Sequence, residues 1–483
     1  MNRKSLLAFA LILANLMTVA QVHTYSYSNS SSNGTSRWSF GSGTRVTIDR
    51  DGLSGFNIEM RGRIELTDDD KDIKSISADG YLEISKTTFG GKRTIVLTPD
   101  GDGIKREYFE GWDKKDFEKD GGRKWLGEIL PEIVHTTMIG AESRVTRIFK
   151  QGGTSAVLKE IDRVDGDYVK SGYANLLMKQ NVTAKDYPTI INQITSSVGS
   201  DHYRTEFLKN GLDKFLESKE ATDAVFAASA KFESDHYKAQ IIKEALERQT
   251  PSVEAIKSIL AASNKMESDH YKTEVLTTLL RKDNLSDGVI TEMIASTKDL
   301  ESDHYRTQVL TKALHKPGLS AASFQKVLES VKDMDSDHYK TQVLTDLLSN
   351  KLSNELNMQL VDLCTSMNSD HYLTQVFTTM VKRQDLNDEA YKKLIARASQ
   401  CQSDHYATQI LTYALQSKSI TSARVAEVLK VVVNMNSDHY VTQVLTTAAP
   451  RVKADPSLAD AYRAAAKKIN SSHYYGQALK AIE

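Results

Sequence analysis

The sequence Ser-Asp-His-Tyr-Arg-Thr-Gln-Val-Leu occupies residues 302–310, and close variants of it recur along more than half of the chain. Each motif histidine lies 34 positions after the previous one, except for a single step of 33. Self-similarity at a fixed period of about 20–50 residues indicates stacked structural repeats. The nine motif histidines are His202, His236, His270, His304, His338, His371, His405, His439 and His473.

Each repeat is expected to contain two helices. Ser302 suits an N-cap position, and Asp303 falls in the first turn, where the helix dipole favours an acid. Lys316-Pro317-Gly318 ends this helix, and a second helix is expected from about Ser320. The one shortened repeat lacks a residue in this turn, where deletions are tolerated. The apolar residues expected to be buried are Val309, Leu310, Ala313 and Leu314, then Phe324, Val327, Leu328 and Val331.

An apolar residue stands two positions before each motif serine, which predicts a buried side chain at the helix entrance. Cys401 belongs to this column, so we interpret it as a small core residue rather than a nucleophile. Cys364 lies off that register, and a Cys364–Cys401 disulfide is therefore disfavoured. The column comprises Val198, Phe232, Met266, Leu300, Met334, Met367, Cys401, Met435 and Ile469.

The part of the chain before the repeats has a different pattern. Between residues 38 and 112, turn signals separate short runs that alternate apolar and polar residues, as in Phe56-Asn57-Ile58-Glu59-Met60. Such turns between alternating runs favour hairpins, so we expect an antiparallel meander of four to six strands. A helical connector follows at 113–164, with a break at Gly152-Gly153. The turn pairs are Asp51-Gly52, Asp79-Gly80, Gly90-Gly91 and Asp100-Gly101.

The N-terminal residues resemble a secretory signal peptide. Asn2-Arg3-Lys4 supplies positive charge, Leu6 to Met17 is almost entirely apolar, and small residues precede a cleavage point after Ala20. The apolar run is shorter than the roughly 20 residues that span a bilayer. We expect export to the periplasm or cell surface, with a retained anchor as the alternative. The Ser/Asn/Tyr-rich stretch that follows predicts a flexible linker.

These observations predict an α+β chain with a small N-terminal antiparallel β meander followed by a long αα-hairpin solenoid. No later segment is apolar enough to cross a membrane, so no transmembrane segment is expected in the mature chain. The predicted organisation is a signal peptide at 1–20, a linker at 21–37, a β region at 38–112, a helical connector at 113–164 and the solenoid at 165–483.

The period and the helix pairing resemble tetratricopeptide repeats, although that family is marked by Trp, Leu-Gly, Tyr, Ala, Phe and Pro rather than by Ser-Asp-His-Tyr. The whole layout is similar to exported bacterial proteins that pair a short β region with degenerate HEAT-like helical repeats. In some Gram-negative bacteria, similar modules are attached to membrane metallopeptidase sensors. This chain has no His-Glu-x-x-His, so the resemblance implies neither peptidase activity nor catalytic residues.

Composition narrows the classes of function. The chain has 62 Lys and Arg against 63 Asp and Glu, which gives a formal net charge of −1. It therefore lacks the excess of positive charge that is typical of nucleic-acid-binding proteins. Two cysteines exclude a disulfide scaffold and a cysteine-rich zinc module. The sequence contains neither a Gly-rich phosphate loop nor a Gly-x-Ser-x-Gly elbow. We therefore expect a protein that is not an enzyme and that needs neither a metal nor another cofactor.

A polar stripe runs along the motif helices, opposite their apolar face. It contains the motif histidine, Gln or Glu four residues later, and usually Thr three residues after that. One hypothesis is a hydrogen-bonded column of Asp, His and Gln along the stack, and the other is contact with a ligand. Metal binding is disfavoured, because Gln is a poor transition-metal ligand. The stripe glutamines are Gln308, Gln342, Gln375, Gln409 and Gln443, beside the nine histidines.

The expected function is a non-catalytic scaffold that binds a protein or peptide of the bacterial cell envelope, since stacked helical hairpins present extended surfaces. Two alternatives stay open. The chain could be the regulatory or substrate-binding arm of an envelope enzyme system, or a purely structural spacer. A spacer needs repeating core residues but has no use for a fixed exposed row of His, Gln and Thr.

Overall fold

A computed structural model describes residues 25–31, 34–40, 44–50 and 54–483, apart from residues 89, 284, 418 and 419, and it describes side chains from Phe56 onward. The predicted signal peptide lies outside the described residues. The described chain divides into two compact units. The first unit runs to Ile241 and includes Pro251–Ala255, and the second comprises Ile242–Thr250 and Ile256–Glu483.

An antiparallel sheet begins the first unit, as expected for the β region. Eight strands lie in the order β1-β2-β3-β4-β7-β8-β9-β10, and β5 and β6 form a separate pair. The meander is therefore larger than the predicted four to six strands. The strands are β1 Tyr25–Ser31, β2 Gly34–Phe40, β3 Thr44–Arg50, β4 Ser54–Arg61, β5 Ile64–Leu66, β6 Ile73–Ile76, β7 Tyr81–Thr88, β8 Gly91–Asp100, β9 Gly103–Glu110 and β10 Asp113–Lys115.

The sheet begins inside the stretch predicted as a linker, residues 21–37. β1 and β2 pair antiparallel, with Tyr25 opposite Phe40 and Ser31 opposite Gly34. The Ser/Asn-rich composition indicated flexibility because it offers little apolar area to bury. Pairing to β3 supplies β2 with backbone hydrogen bonds on its other side, so the strands do not depend on a strongly apolar sequence.

One face of the sheet is buried within the first unit. Ile58, Ile84, Ile95 and Tyr108 lie opposite one another on four neighbouring strands, and each is at most 1% exposed. The ring of Tyr108 lies 6.0 Å from that of Trp125, a buried residue of the helix Gly122–Thr136. The alternating pattern of the strands is thus explained by a buried core to which the β5–β6 pair and this helix both contribute.

A buried ion cluster joins the β5–β6 pair to the helices of the first unit. Arg144 donates to Asp70 at 2.7 Å, to Glu160 at 2.7 Å and to the Tyr173 hydroxyl at 3.0 Å. Burial raises the pKa of Glu160, but hydrogen bonds and charges from His135 and Arg144 outweigh that effect and hold the pKa at about 2. Each charge in the cluster has a partner, which is the condition under which buried charges are tolerated.

Helices occupy the rest of the chain, 21 α-helices in the described residues. Four of these α-helices lie ahead of the nine motif copies, Gly122–Thr136, Ala141–Arg163, Asp167–Met178 and Tyr187–Ser197. The second of them is interrupted at Gly152 and Gly153, as expected. We call the helices that begin within the motif copies the motif helices. They are Asp201–Phe215, Asp235–Arg248, Asp269–Leu279, Asp303–Leu314, Asp337–Leu347, Asp370–Arg383, Asp404–Leu415, Asp438–Ala454 and Ser472–Ile482.

We call the helix that precedes each motif helix a return helix. Within each unit, motif helices pack on neighbouring motif helices and return helices on neighbouring return helices. The apolar residues predicted to be buried in the repeat from Ser302 are all at most 7% exposed. The return helices are Tyr187–Ser197, Lys219–Ser229, Val253–Asn264, Asp287–Ala295, Ala321–Lys332, Asn354–Cys364, Asp388–Ala398, Ser422–Val432 and Ala459–Ala466.

The predicted column at the helix entrance is buried at eight of its nine positions, and Cys401 is half-buried. Both cysteines are unpaired thiols. Burial raises the pKa of Cys401 to about 12 and raises that of Cys364 further. Thiols in that state carry little thiolate at neutral pH, which fits core residues rather than nucleophiles.

The motif aspartates join successive repeats. Asp303 Oδ2 accepts hydrogen bonds from the backbone N–H of Asp335 at 2.9 Å and of Ser336 at 2.8 Å, one repeat later. In the first unit, Asp201 bonds in the same way to Glu233 and Ser234. Ser302 and Ser336 occupy the N-cap positions of their motif helices, but neither side chain caps its helix, which corrects the expected capping role of Ser302. The carboxylate of the previous repeat instead binds the backbone where the next helix begins.

Candidate interaction surface

The nine motif histidines are all exposed. Half or more of the side chain is accessible in His202, at 51%, and in His270, at 54%. Each histidine directly follows the aspartate, or in the ninth copy the serine, at the start of a motif helix, so the nine occupy one position on the helix surface. The structure therefore places the predicted stripe at the surface.

The motif tyrosines complete an aromatic row that runs along the second unit. The ring of His304 lies 5.3 Å from that of Tyr305 in its own repeat and 5.9 Å from that of Tyr339 in the next. The same two contacts recur from His270 to His439, and His473 contacts Tyr474. We call these alternating rings, from His270 and Tyr271 to His473 and Tyr474, the His–Tyr ladder.

Most neighbouring rings of the ladder stand edge to face, and the two ring pairs of His304 are tilted. Ring centroids lie 5.1–6.0 Å apart, and the ring planes are inclined by 58–69°. Aromatic pairs favour this arrangement because a positive ring edge meets a negative ring face. The tyrosines are half-buried while the histidines are exposed. The ladder is consequently a row of ridges and furrows rather than a flat platform.

The first unit carries a shorter version of this row. His202 lies 5.1 Å from Tyr203 and 5.9 Å from Tyr237, and His236 lies 5.1 Å from Tyr237. Tyr203 also meets Tyr168 at 6.2 Å. The recurrence of one geometry in both units indicates that the motif itself, rather than its local surroundings, determines the arrangement.

The stripe glutamines lie beside the histidines. Gln308 Nε2 lies 2.8 Å from His304 Nε2, and Gln375 and Gln409 make the same contact with His371 and His405 at 2.9 Å. The other ring nitrogen of His304, Nδ1, lies 3.4 Å from the hydroxyl of Tyr339 in the next repeat. The amide carbonyl takes no part in this contact.

At four further positions of the stripe, the residue four places after the histidine does not make this amide contact or is a glutamate. Gln342 and Gln443 occupy the same helical position and are exposed. At His202 and His270 the partner four residues later is glutamate, at 3.8 and 3.9 Å. The structure thus brings histidine and glutamine together along one helix, whereas the contacts between repeats are made by the aspartates and by the aromatic rings.

The residue before the motif serine changes from an acid to an amide along the second unit. The exposed residue before the motif serine is acidic in the copies at Glu301 and Asp335. In the last four copies it is an amide, at Asn368, Gln402, Asn436 and Asn470. In this later part of the ladder, the residue before the motif serine is therefore an uncharged amide, while the carboxylates of the motif aspartates are bound to backbone N–H groups.

The tyrosines were not among the residues predicted for this surface. Their signal was present, because a tyrosine follows every motif histidine. A recurring tyrosine at the edge of an apolar face fits a core residue equally well, and only the packed repeats show that its ring reaches the histidine of the previous repeat.

A separate cavity of about 710 Å³ lies in the first unit, lined by charged groups of both signs that include Arg63, Glu65, Asp68, Lys74 and Arg147. It shares no residue with the His–Tyr ladder. Among the helices that the structure describes, none has both the length and the apolar character needed to cross a bilayer.

Comparison with known proteins leaves the chain without a family. No family model and no curated protein matches it. A structure titled "Computational Design of Self-Assembling Cyclic Protein Homooligomers" aligns with 71% of this chain and 96% of its own, at 10% identity and a TM-score of 0.11. One titled "Circular tandem repeat protein with novel repeat topology and enhanced subunit contact surfaces" aligns with 75% and 78%, at 10% identity and a TM-score of 0.13. TM-scores this low carry no argument about fold or function.

Proposed function

We propose that this chain is a non-catalytic scaffold that binds an extended protein or peptide along the His–Tyr ladder. The observation that carries this proposal is that neighbouring residues of the motif have different surroundings. Asp303 makes the polar bonds to the next repeat, while His304 and Gln308 beside it are exposed. The ring of His304 also touches Tyr339 of the next repeat, but the imidazole stays exposed. Groups that remain exposed at every repeat are well placed for contact with a partner.

The partner is expected to be extended, because the ladder offers the same groups again at each repeat. A linear chain that contacts one repeat meets an equivalent set of rings and amides at the next. Each contact can be weak, since linked contacts raise the effective concentration of those that follow. The His–Tyr ladder therefore suits a partner that spans several repeats better than a compact one.

We further propose that this binding takes place in the bacterial cell envelope, after export to the periplasm or the cell surface. Support comes from the sequence of residues 1–20, with its positive start, apolar run and small residues before Ala20. Intact-mass analysis of exported material tests this point, and retention of Met1 would contradict cleavage near Ala20.

Retention of envelope proteins by the immobilised chain tests the proposed function. The test variant carries His304→Ala, His338→Ala and His371→Ala, and its control carries the exposed substitutions His315→Ala, Glu355→Ala and Glu389→Ala outside the ladder. We expect the native chain and the control to retain the same partner and the test variant to lose it. Equal retention by a folded test variant would contradict binding by the ladder and favour the structural spacer.

A further inference from the structure

We propose that the partner of the His–Tyr ladder is an uncharged, proline-rich segment in the polyproline II conformation. This inference rests on the proposed function and names the chemistry of the partner. It concerns the later part of the second unit, from Asn368 to Gln477, where the exposed residue before the motif serine is an amide rather than an acid.

The first argument is the match of two periods. Packed helices lie about 8–10 Å apart, which sets the spacing of equivalent groups in successive repeats. The ladder agrees with this spacing, because Tyr372 and Tyr406 both lie within 5.9 Å of the intervening ring of His371. A polyproline II helix rises about 3.1 Å per residue with three residues per turn, so it presents the same face about every 9.3 Å. One turn of such a partner therefore advances by one repeat.

The second argument is the shape of the ladder. Rings inclined by about 60° leave furrows between a histidine ridge and the half-buried tyrosine of the next repeat, such as His405 and Tyr440. Prolines of a polyproline II segment dock in aromatic-lined furrows of this kind. A flat sugar ring would instead need an open aromatic face, and the tyrosine faces are half-buried. The shape of the ladder thus favours proline over a glycan.

The third argument concerns polar groups. Polyproline II has no internal hydrogen bonds, so its carbonyl oxygens are available as acceptors. The amide nitrogens of Gln375 and Gln409 each contact the neighbouring histidine. An amide nitrogen carries two N–H donors, so one donor is left over. The second donor can bind a carbonyl of the partner. Because proline lacks a backbone N–H, a proline-rich partner has few donors that need acceptors on the ladder.

Calorimetric titration of the full-length protein with three uncharged probes tests the inference. The probes are the twelve-residue peptide (Pro-Pro-Ser)₄, the flexible peptide (Gly-Gly-Ser)₄ of the same length, and a neutral oligosaccharide of four N-acetylglucosamine units. About twelve residues of polyproline II extend over four repeats. We expect the proline peptide to bind and the other two to bind at least about tenfold more weakly.

Substitutions locate the binding. The double variant His371→Ala with His405→Ala is expected to lower the affinity for the proline peptide by about tenfold or more. The substitution His315→Ala, at an exposed histidine outside the ladder, is expected to leave that affinity unchanged. As a second readout, the ring proton resonances of the ladder histidines should shift on adding the peptide, while that of His315 stays in place.

The outcomes separate this inference from the proposed function. If (Gly-Gly-Ser)₄ binds as tightly as the proline peptide and depends on the same histidines, the scaffold proposal stands and the polyproline II inference is wrong. Preferential binding of the oligosaccharide also overturns the inference. If none of the three probes binds, the inference is wrong, and the retention experiment with the envelope proteins decides the proposed function independently.

Discussion

Asp337 Oδ2 accepts hydrogen bonds from the backbone N–H of Ser369 and of Asn368, both at 2.8 Å, and so joins one repeat to the start of the next motif helix. The second unit repeats this relationship at Asp404 and Asp438. A charged acceptor bound to backbone donors is worth more than a neutral pair. The stacking of repeats therefore depends on the motif aspartate in addition to apolar packing.

Replacing this aspartate should destabilise the protein. We expect Asp337→Ala to lower the free energy of unfolding by about 2–4 kcal/mol, because two backbone donors lose a charged acceptor. Asp335→Ala is the matched control, since Asp335 is exposed in the neighbouring loop, and we expect it to cost no more than about 0.5 kcal/mol. Urea unfolding followed by circular dichroism measures both, and equal effects of the two substitutions would count against the role of Asp337.

A buried amide offers the opposite kind of test. Asn357 is fully buried, and neither Nδ2 nor Oδ1 has a hydrogen-bond partner. Because a buried amide without a partner carries a desolvation cost, we expect Asn357→Leu to stabilise the protein by about 1–2 kcal/mol. Asn354→Leu at the exposed start of the same helix controls for helix propensity. A loss of stability in thermal melts of Asn357→Leu would show that the amide has a structural role.

The pKa of Glu160 predicts a dependence of stability on pH. Its folded value of about 2 lies below the ordinary 4.5, so the ionised carboxylate stabilises the fold. That contribution is complete above about pH 4.5 and is lost as the pH falls through about 2. The size of the shift corresponds to about 3 kcal/mol.

Thermal melts of Glu160→Gln and the native protein across this range measure the effect. We expect a large difference at neutral pH that shrinks towards pH 2, whereas the exposed Glu142→Gln should follow the native curve throughout. A difference that stays constant from neutral pH to pH 2 would contradict ionisation of Glu160 as the cause.

Much of the repeat architecture follows from the sequence alone. The spacing of Val309, Leu310 and Ala313 predicted which face of the motif helix is buried, because helical periodicity is a local property. The role of Asp303 could not be read in the same way. Its position in the first turn was predicted, but which backbone amides it meets depends on how two repeats pack.

The same limit applies to the candidate surface and to the sheet. Helical projection placed His304 and Gln308 on one polar stripe, and in the structure their Nε2 atoms lie 2.8 Å apart. The contact of His304 with Tyr339 crosses a repeat and has no local signal. The strands β1 and β2 were missed because their Ser/Asn-rich sequence lacks the usual apolar alternation, and their pairing is supplied by neighbouring strands.

The most direct measurement compares the stability of two triple variants under the same conditions. One carries His304→Ala, His338→Ala and His371→Ala, and the other carries Asp303→Ala, Asp337→Ala and Asp370→Ala. If the aspartates hold the repeats together and the ladder histidines are available to a partner, urea unfolding should show the histidine variant losing less than half the stability that the aspartate variant loses. A histidine variant that is destabilised as much as the aspartate variant would contradict the His–Tyr ladder as a binding surface.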